Sequence, residues 1–141
     1  MLNDGLFSLR KPKAKIEAER AQYEKWAFPH GAEQRTQLEA LLKVLYPKDS
    51  LGNALVTFLT GKELFEGDCK FVGGDIDKGA EYMLNKRKKF KVVITKKMMP
   101  LMVALVVADA RLDPENPQYP SADEIRRDAA AYASRQGRPS G

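Results

Sequence analysis

An uninterrupted apolar segment, residues 98–108, constrains the fold of this chain more than any other feature. None of its eleven side chains is charged or readily forms hydrogen bonds. The segment is too short to span a membrane, since a membrane-spanning helix needs about 20 apolar residues. A helix that is apolar on all sides must be surrounded by other elements. We therefore expect a buried central helix, with Pro100 in its first turn and Thr95 as its N-cap.

The segment immediately before it, residues 86–97, is strongly basic, and we refer to it as the basic run. Phe90 and the β-branched residues 92–95 lie among its charges. The cations of the basic run are Lys86, Arg87, Lys88, Lys89, Lys91, Lys96 and Lys97. The basic run requires water or an anion, whereas the apolar segment that follows requires a core. We therefore expect a functional surface where the two segments meet.

Composition limits the class of protein. With 141 residues, the chain can bury about two thirds of its extended surface without a metal ion or a disulfide. Its formal net charge of +5 permits an anionic partner without requiring one. Cys69 is the only cysteine, so no intramolecular disulfide can form, and the N-terminus carries no signal-peptide pattern. We expect a cytoplasmic protein that does not associate with membranes.

Helical spacing of apolar residues predicts the first two helices. Pro12 suits the first turn of a helix over residues 13–28, whose apolar face is thin. The next helix, over residues 32–46, has the clearest apolar face. Its inward residues are predicted to be Leu38, Leu41, Leu42 and Leu45.

Capping residues predict the helices that follow. Ser50 caps a third helix, which Gly61 is expected to end or bend, and residues 67–74 are expected to form a loop or short strand. Asp75 caps a fourth helix that ends near residues 85–89. The fourth helix is predicted to bury Ala80, Met83 and Leu84.

The C-terminal part contains a proline-rich linker, residues 113–120, and a last helix. Ser121 and Glu124 form a capping-box pattern for this helix, which is expected to end near Gln136. Its predicted inner face is small. That face consists of Ile125, Ala129, Tyr132 and Ala133.

These patterns predict a mainly α fold, a compact single-domain bundle of about six helices around the central helix. Residues 1–11 are expected to be a flexible arm, residues 12–136 the helical domain and residues 137–141 a tail. A minor β pairing is an alternative for residues 90–95, which are rich in β-branched side chains.

Residue types that carry catalysis are scarce. His30 is the only histidine, and it lies in a Pro-His-Gly turn without a nucleophile motif beside it. We expect it to be a turn residue. Cys69 adjoins Lys70, which could lower the thiol pKa somewhat, but a structural cysteine is the expected role. We therefore predict a non-catalytic protein with no cofactor and no metal site.

The acidic stretch around Asp75 contains two further candidate sites, a glycine-rich motif and a group of carboxylates. The sequence Gly73-Gly74-Asp75 lacks the further glycine of a dinucleotide loop and the lysine of a P-loop, so we expect a turn that leads into a helix. An enzyme with a carboxylate site at Asp68, Asp75 and Asp77 remains a third hypothesis. It requires these carboxylates to meet in a cleft.

The basic run has three interpretations. It is a solvated helix end, a surface that docks an acidic protein, or a surface that contacts phosphates while Tyr82 or Phe90 stacks on bases. Lysine predominates over arginine, which reads bases better. The leading hypothesis is a non-catalytic intracellular interaction or regulatory protein with a protein partner at the basic run. The alternative is a nucleic-acid-binding accessory protein.

A second candidate surface is aromatic and consists of Tyr23, Trp26 and Phe28, near the end of the first helix. Packing into a core is the expected role of these side chains, and an exposed anchor for a partner is the alternative. The thin apolar faces of the first and last helices also leave open a homo-oligomer that exchanges them.

Overall fold

The computed structural model describes residues 13–85 and 98–135. These two ranges contain six helices and no strand, with one isolated bridge between Asp113 and Asn116. The helices are α1 (Lys13–Ala27), α2 (Ala32–Leu45), α3 (Leu51–Phe71), α4 (Ile76–Asn85), α5 (Met99–Ala110) and α6 (Ala122–Arg135). The predicted mainly α fold is confirmed. The predicted arm, the tail, the β-rich residues 90–95 and the Thr95 cap all lie outside the described residues.

The chain divides into two compact units, Met1–Arg35 and Thr36–Gly141. The first unit contains α1 and the beginning of α2, joined by a turn in which Gly31 has a φ of +90°. Within it, the guanidinium of Arg35 lies 2.6 Å from the Glu24 carboxylate and 5.6 Å from the centre of the Phe28 ring. These contacts tie the start of α2 to the end of α1. A single domain over residues 12–136 stays a prediction.

The second unit is built around α5. Residues 102–107 of this helix are all buried, and α5 packs against α3, α4 and α6. The predicted central helix is therefore confirmed, and Pro100 lies in its first turn. The helix begins after Met98, whose side chain makes no capping hydrogen bond. No helix in the described ranges combines the length and apolarity needed to cross a membrane.

The predicted faces and caps of the other helices are mostly confirmed. The four inward leucines of α2 are buried, as are the three predicted inward residues of α4. On α6 only Ile125 is fully buried, and Ala133 is exposed, contrary to the prediction. The three predicted caps within the described residues each accept a backbone hydrogen bond: Ser50 from Asn53 (3.1 Å), Asp75 from Lys78 (2.9 Å) and Ser121 from Glu124 (3.2 Å).

The third helix is longer than predicted. Gly61 neither ends nor breaks α3, and the expected loop over residues 67–74 is wrong because its first five residues are helical. A glycine costs an exposed helix interior only about 1 kcal/mol, which packing of α3 against α4 and α5 outweighs. The helix ends instead before Gly73 and Gly74, whose φ angles are +88° and +89°.

A buried ion pair joins α3 to α5. The ammonium of Lys62 lies 3.1 Å from Asp109 Oδ2, and their side chains are only 9% and 5% exposed. The hydroxyl of Tyr119 donates a hydrogen bond of 2.6 Å to Asp109 Oδ1. Charges buried this deeply require partners of this kind. The pair therefore fixes α3, α5 and the proline-rich segment relative to one another.

Gln37 of α2 holds the same proline-rich segment from the other side. Its amide nitrogen donates to the carbonyl of Pro117 (2.9 Å), and its amide oxygen accepts from the backbone N–H of Tyr119 (3.2 Å). Farther along, the guanidinium of Arg126 in α6 donates to the carbonyl of Val44 at the end of α2 (3.1 Å). The segment predicted to be a stiff linker is thus bonded to the helices on both sides.

Replacement of Asp109 by alanine is expected to lower the free energy of unfolding by about 3 to 5 kcal/mol, because the buried ammonium of Lys62 loses the Asp109 carboxylate. Urea denaturation followed by circular dichroism measures this change. The double variant Lys62→Met, Asp109→Leu is expected to regain much of the loss, since it buries no charge. Asp123→Ala removes an exposed ion pair with Arg126 and serves as the control. Equal losses for Asp109→Ala and Asp123→Ala would contradict the prediction.

Candidate functional site

The basic run, the first candidate surface, lies outside the described residues, as does Phe90. The seven cations of the basic run are Lys86, Arg87, Lys88, Lys89, Lys91, Lys96 and Lys97. The structure does describe the helices on either side of it, with α4 ending at Asn85 and α5 beginning at Met99. The surface of α4 that leads into the basic run is therefore the described part of this candidate site.

An exposed aromatic pair, Phe71 and Tyr82, lies on that surface. Phe71 is the last residue of α3 and Tyr82 lies near the end of α4, with ring centroids 5.0 Å apart and planes tilted by 42°. The Phe71 side chain is 74% exposed, and Tyr82 is half-buried. Lys86, the first residue of the basic run, follows Tyr82 by four positions in the sequence. The sequence names Tyr82 as a residue that could stack on bases, but it carries no signal that points to Phe71.

The close packing of α3 on α4 sets the spacing of the aromatic pair. Gly74 donates its N–H to the carbonyl of Cys69 (2.6 Å), which turns the chain back toward α3. One turn into α4, a side chain at Gly79 would overlap Cys69 Sγ and lie 3.1 Å from Cys69 Cα. Only glycine allows this approach, because it has no Cβ. The glycine thus lets the two helices meet directly beside the two rings.

The exposed surface of α4 carries acidic residues that are paired with arginines. Asp77 lies 2.5 Å from the guanidinium of Arg111, which follows α5. One turn later, Glu81 lies 3.9 Å from the guanidinium of Arg135 at the end of α6. These contacts neutralise the negative charge on the side of α4 that faces α5 and α6.

The carboxylates of the third hypothesis do not form a shared cleft. Asp75 is an exposed helix cap, and Asp77 is 80% exposed and paired with Arg111. Asp68 is buried in α3. Among the residues that the structure describes, no three or more His, Cys, Asp or Glu side chains are grouped to hold a metal ion.

The pKa of the Cys69 thiol is raised, whereas its neighbour Lys70 suggested a lowered pKa. Partial burial raises the pKa of Cys69, and the carboxylates of Asp68, Asp75 and Glu66 raise it further. A thiol with a raised pKa is mostly protonated at neutral pH and is a poor nucleophile. The expected structural role of this cysteine agrees with that environment.

The second candidate surface divides into an exposed and a buried part. Tyr23 is exposed, and its ring centroid lies 5.3 Å from that of the half-buried Trp26. Phe28 is only 5% exposed and lines an open groove of about 570 Å³ together with Pro29 and Arg35. Phe28 therefore packs as expected, whereas Tyr23 does not.

Two further polar features are already engaged. His30 lies in the predicted turn, where its backbone N–H donates to the side-chain oxygen of Gln34 (2.9 Å). A cleft of about 200 Å³ between α5 and α6 is lined by Arg111 and Tyr132, among others. Arg111 pairs with Asp77, and the guanidinium of Arg135 lies 4.8 Å from the centre of the Tyr132 ring.

Alkylation of Cys69 tests the electrostatics of the turn between α3 and α4. We expect the rate of reaction with iodoacetamide to rise with pH around a midpoint above the ordinary cysteine pKa of about 8.5. Asp75→Ser keeps a capping oxygen and removes the charge, so it is expected to lower that midpoint. Asp123→Ser removes a carboxylate that does not act on Cys69 and is the control. A midpoint below the ordinary value in the unaltered protein would refute this assignment.

Comparison with known proteins gives no match: no family model matches the chain, and neither a curated protein nor a solved structure does. What the protein does must therefore follow from its own residues and contacts.

Proposed function

We propose that this chain is a non-catalytic, cytoplasmic interaction protein with a regulatory role, which binds a protein partner through the aromatic pair and the basic run. The observation that carries the proposal is the exposure of Phe71 against Tyr82. A large aromatic side chain left mostly in water is unusual in a chain whose other phenylalanines in α3, Phe58 and Phe65, are buried. Exposed apolar surface marks interaction sites where it is contiguous, and the contact between the two rings makes these side chains contiguous.

Charge around the aromatic pair supports the same proposal. Aromatic anchors contribute most of the affinity at protein interfaces when they become fully desolvated, and surrounding charges steer association. Tyr82, one ring of the pair, lies on α4, and the seven cations of the basic run begin in the sequence with the residue after that helix. An apolar contact followed closely in the sequence by a basic run favours a protein-binding surface.

The absence of catalysis is proposed from the state of the reactive groups. The pKa of Cys69 is raised, and two of the three candidate carboxylates, Asp75 and Asp77, are exposed. A catalytic nucleophile needs an activating base or a lowered pKa. These environments favour a binding protein over an enzyme.

Site-specific photo-crosslinking tests the proposal. Replacement of Phe71 by p-benzoylphenylalanine in the full chain, followed by irradiation in the cells that make the protein, is expected to yield one discrete crosslinked protein. The same replacement at Val56 is the matched control, since Val56 is also apolar, 58% exposed and on α3. The adduct is expected at position 71 and not at position 56.

The basic run is tested in the same experiment by changing Lys86, Arg87, Lys88 and Lys89 to serine. This variant is expected to lose most of the adduct at position 71, because the charges that attract the partner are gone. Identical adducts at positions 71 and 56, or no protein adduct at position 71, would overturn the proposal.

A nucleic-acid-binding accessory protein is the second candidate function. The aromatic pair favours it as well, because an exposed ring beside lysines is a platform for an unpaired base. On this interpretation the basic run contacts phosphates, without reading the sequence of bases.

Binding of labelled single- and double-stranded DNA and RNA across a salt series decides this alternative. If it holds, the serine variant is expected to lower the slope of log affinity against log salt by about 3 to 4, since four phosphate contacts are lost. A variant with Lys25, Lys43, Lys48 and Arg127 changed to serine loses the same charge from exposed sites elsewhere and is the control. Binding only at low salt, or equal slopes in both variants, would dismiss this function.

A further inference from the structure

The exposed surface of α4 has two adjacent ridges with different electrostatics. Asp77 and Glu81 form one ridge, at helical spacing of four residues, and both are paired with arginines that follow or end the neighbouring helices. Lys78 and Tyr82 form the next ridge, again four residues apart. The negative charges of the helix are thus largely neutralised on the first ridge, whereas the second ridge keeps its positive charge.

Two lysines border the aromatic pair. Lys70 immediately precedes Phe71 on α3, and Lys78 lies one turn before Tyr82 on α4, and both are exposed. Within residues 13–85 and 98–135, neither ammonium group takes part in an ion pair. These two lysines, at the edge of an apolar contact, are complementary to an apolar side chain flanked by carboxylates.

We propose that the aromatic pair, with Lys70 and Lys78, binds an acidic segment of a protein partner that packs one apolar side chain against the exposed face of Phe71. This inference rests on the proposed function and names the chemistry of the partner. The apolar side chain covers the exposed face of Phe71 and supplies affinity, since aromatic anchors dominate binding energies. The flanking carboxylates meet Lys70 and Lys78 and supply selectivity.

The described contacts favour an acidic protein segment over a nucleic acid at this spot. Nucleic-acid affinity grows with the number of phosphates neutralised, and the aromatic pair has two lysines and no unpaired arginine beside it in the described ranges. Single-stranded nucleic acids are held by successive stacking platforms. A single tilted pair of rings in contact suits one apolar side chain packed against it instead.

Selection from a displayed library of random peptides tests the inference, with the full chain as the bait. The peptides recovered are expected to carry Phe, Trp or Leu flanked by Asp and Glu. For a synthetic peptide of the recovered sequence, fluorescence anisotropy is expected to show that Phe71→Ser weakens binding about tenfold or more, the loss typical of an aromatic anchor. Circular dichroism verifies that this exposed substitution leaves the fold intact.

Charge variants examine the two lysines separately from the anchor. Lys70→Glu combined with Lys78→Glu is expected to weaken the acidic peptide more than the corresponding serine variants and to reduce its sensitivity to salt. Val56→Ser is the matched control, an exposed apolar position on α3 outside the aromatic pair, and it is expected to leave the affinity unchanged.

The outcomes separate this inference from the function on which it rests. Recovery of basic or uncharged peptides, or acidic peptides that bind Phe71→Ser as well as the unaltered chain, would overturn the inference. If position 71 still crosslinks to a protein in cells, the proposed function stands and only the partner chemistry is wrong. If no peptide is recovered and no protein is crosslinked, the inference and the proposed function are both refuted. If the chain binds nucleic acid and Phe71→Ser abolishes that binding, the second candidate function replaces both.

Discussion

The ion pair between Lys62 and Asp109 is the interaction on which the rest of the second unit depends. Both side chains are almost completely buried, and an interior of low polarity stabilises such charges only when their partners are close. Asp109 is held by Lys62 on one side and by the Tyr119 hydroxyl on the other. These three residues belong to α3, α5 and the proline-rich segment. The buried charges of Lys62 and Asp109 therefore fix the positions of the three elements relative to one another.

This constraint explains features that local sequence does not. Lys62 reaches Asp109 only if α3 continues past Gly61, so the helix persists through a residue that disfavours it. Tyr119 reaches Asp109 only if the proline-rich segment turns inward, and Gln37 holds it there by bonding to the backbone of Pro117 and Tyr119. The segment that connects α5 to α6 is therefore anchored to the helices of this unit by side-chain hydrogen bonds.

The helices with a clear apolar period or a capping residue were predictable from sequence, and α2 and the caps at Ser50, Asp75 and Ser121 are examples. The end of α3 was not, because glycines at positions 61 and 67 mimic a helix stop, and only packing and the buried ion pair override them. Phe71 therefore falls in a predicted loop, although it is the last residue of α3. Its partner Tyr82 was recognisable from its closeness to the basic run, but a contact between residues on two helices has no signature in one sequence.

Gly79 carries a consequence for recognition that reaches beyond helix packing. Because α3 and α4 touch at Gly79 and Cys69, the rings of Phe71 and Tyr82 are held at their spacing before any partner arrives. The conformational entropy of ordering these side chains is lost on folding and not on association, which is the principle of preorganisation. A larger residue at position 79 would push α3 and α4 apart and change the spacing of the rings. It would therefore weaken binding of a partner although it is itself buried.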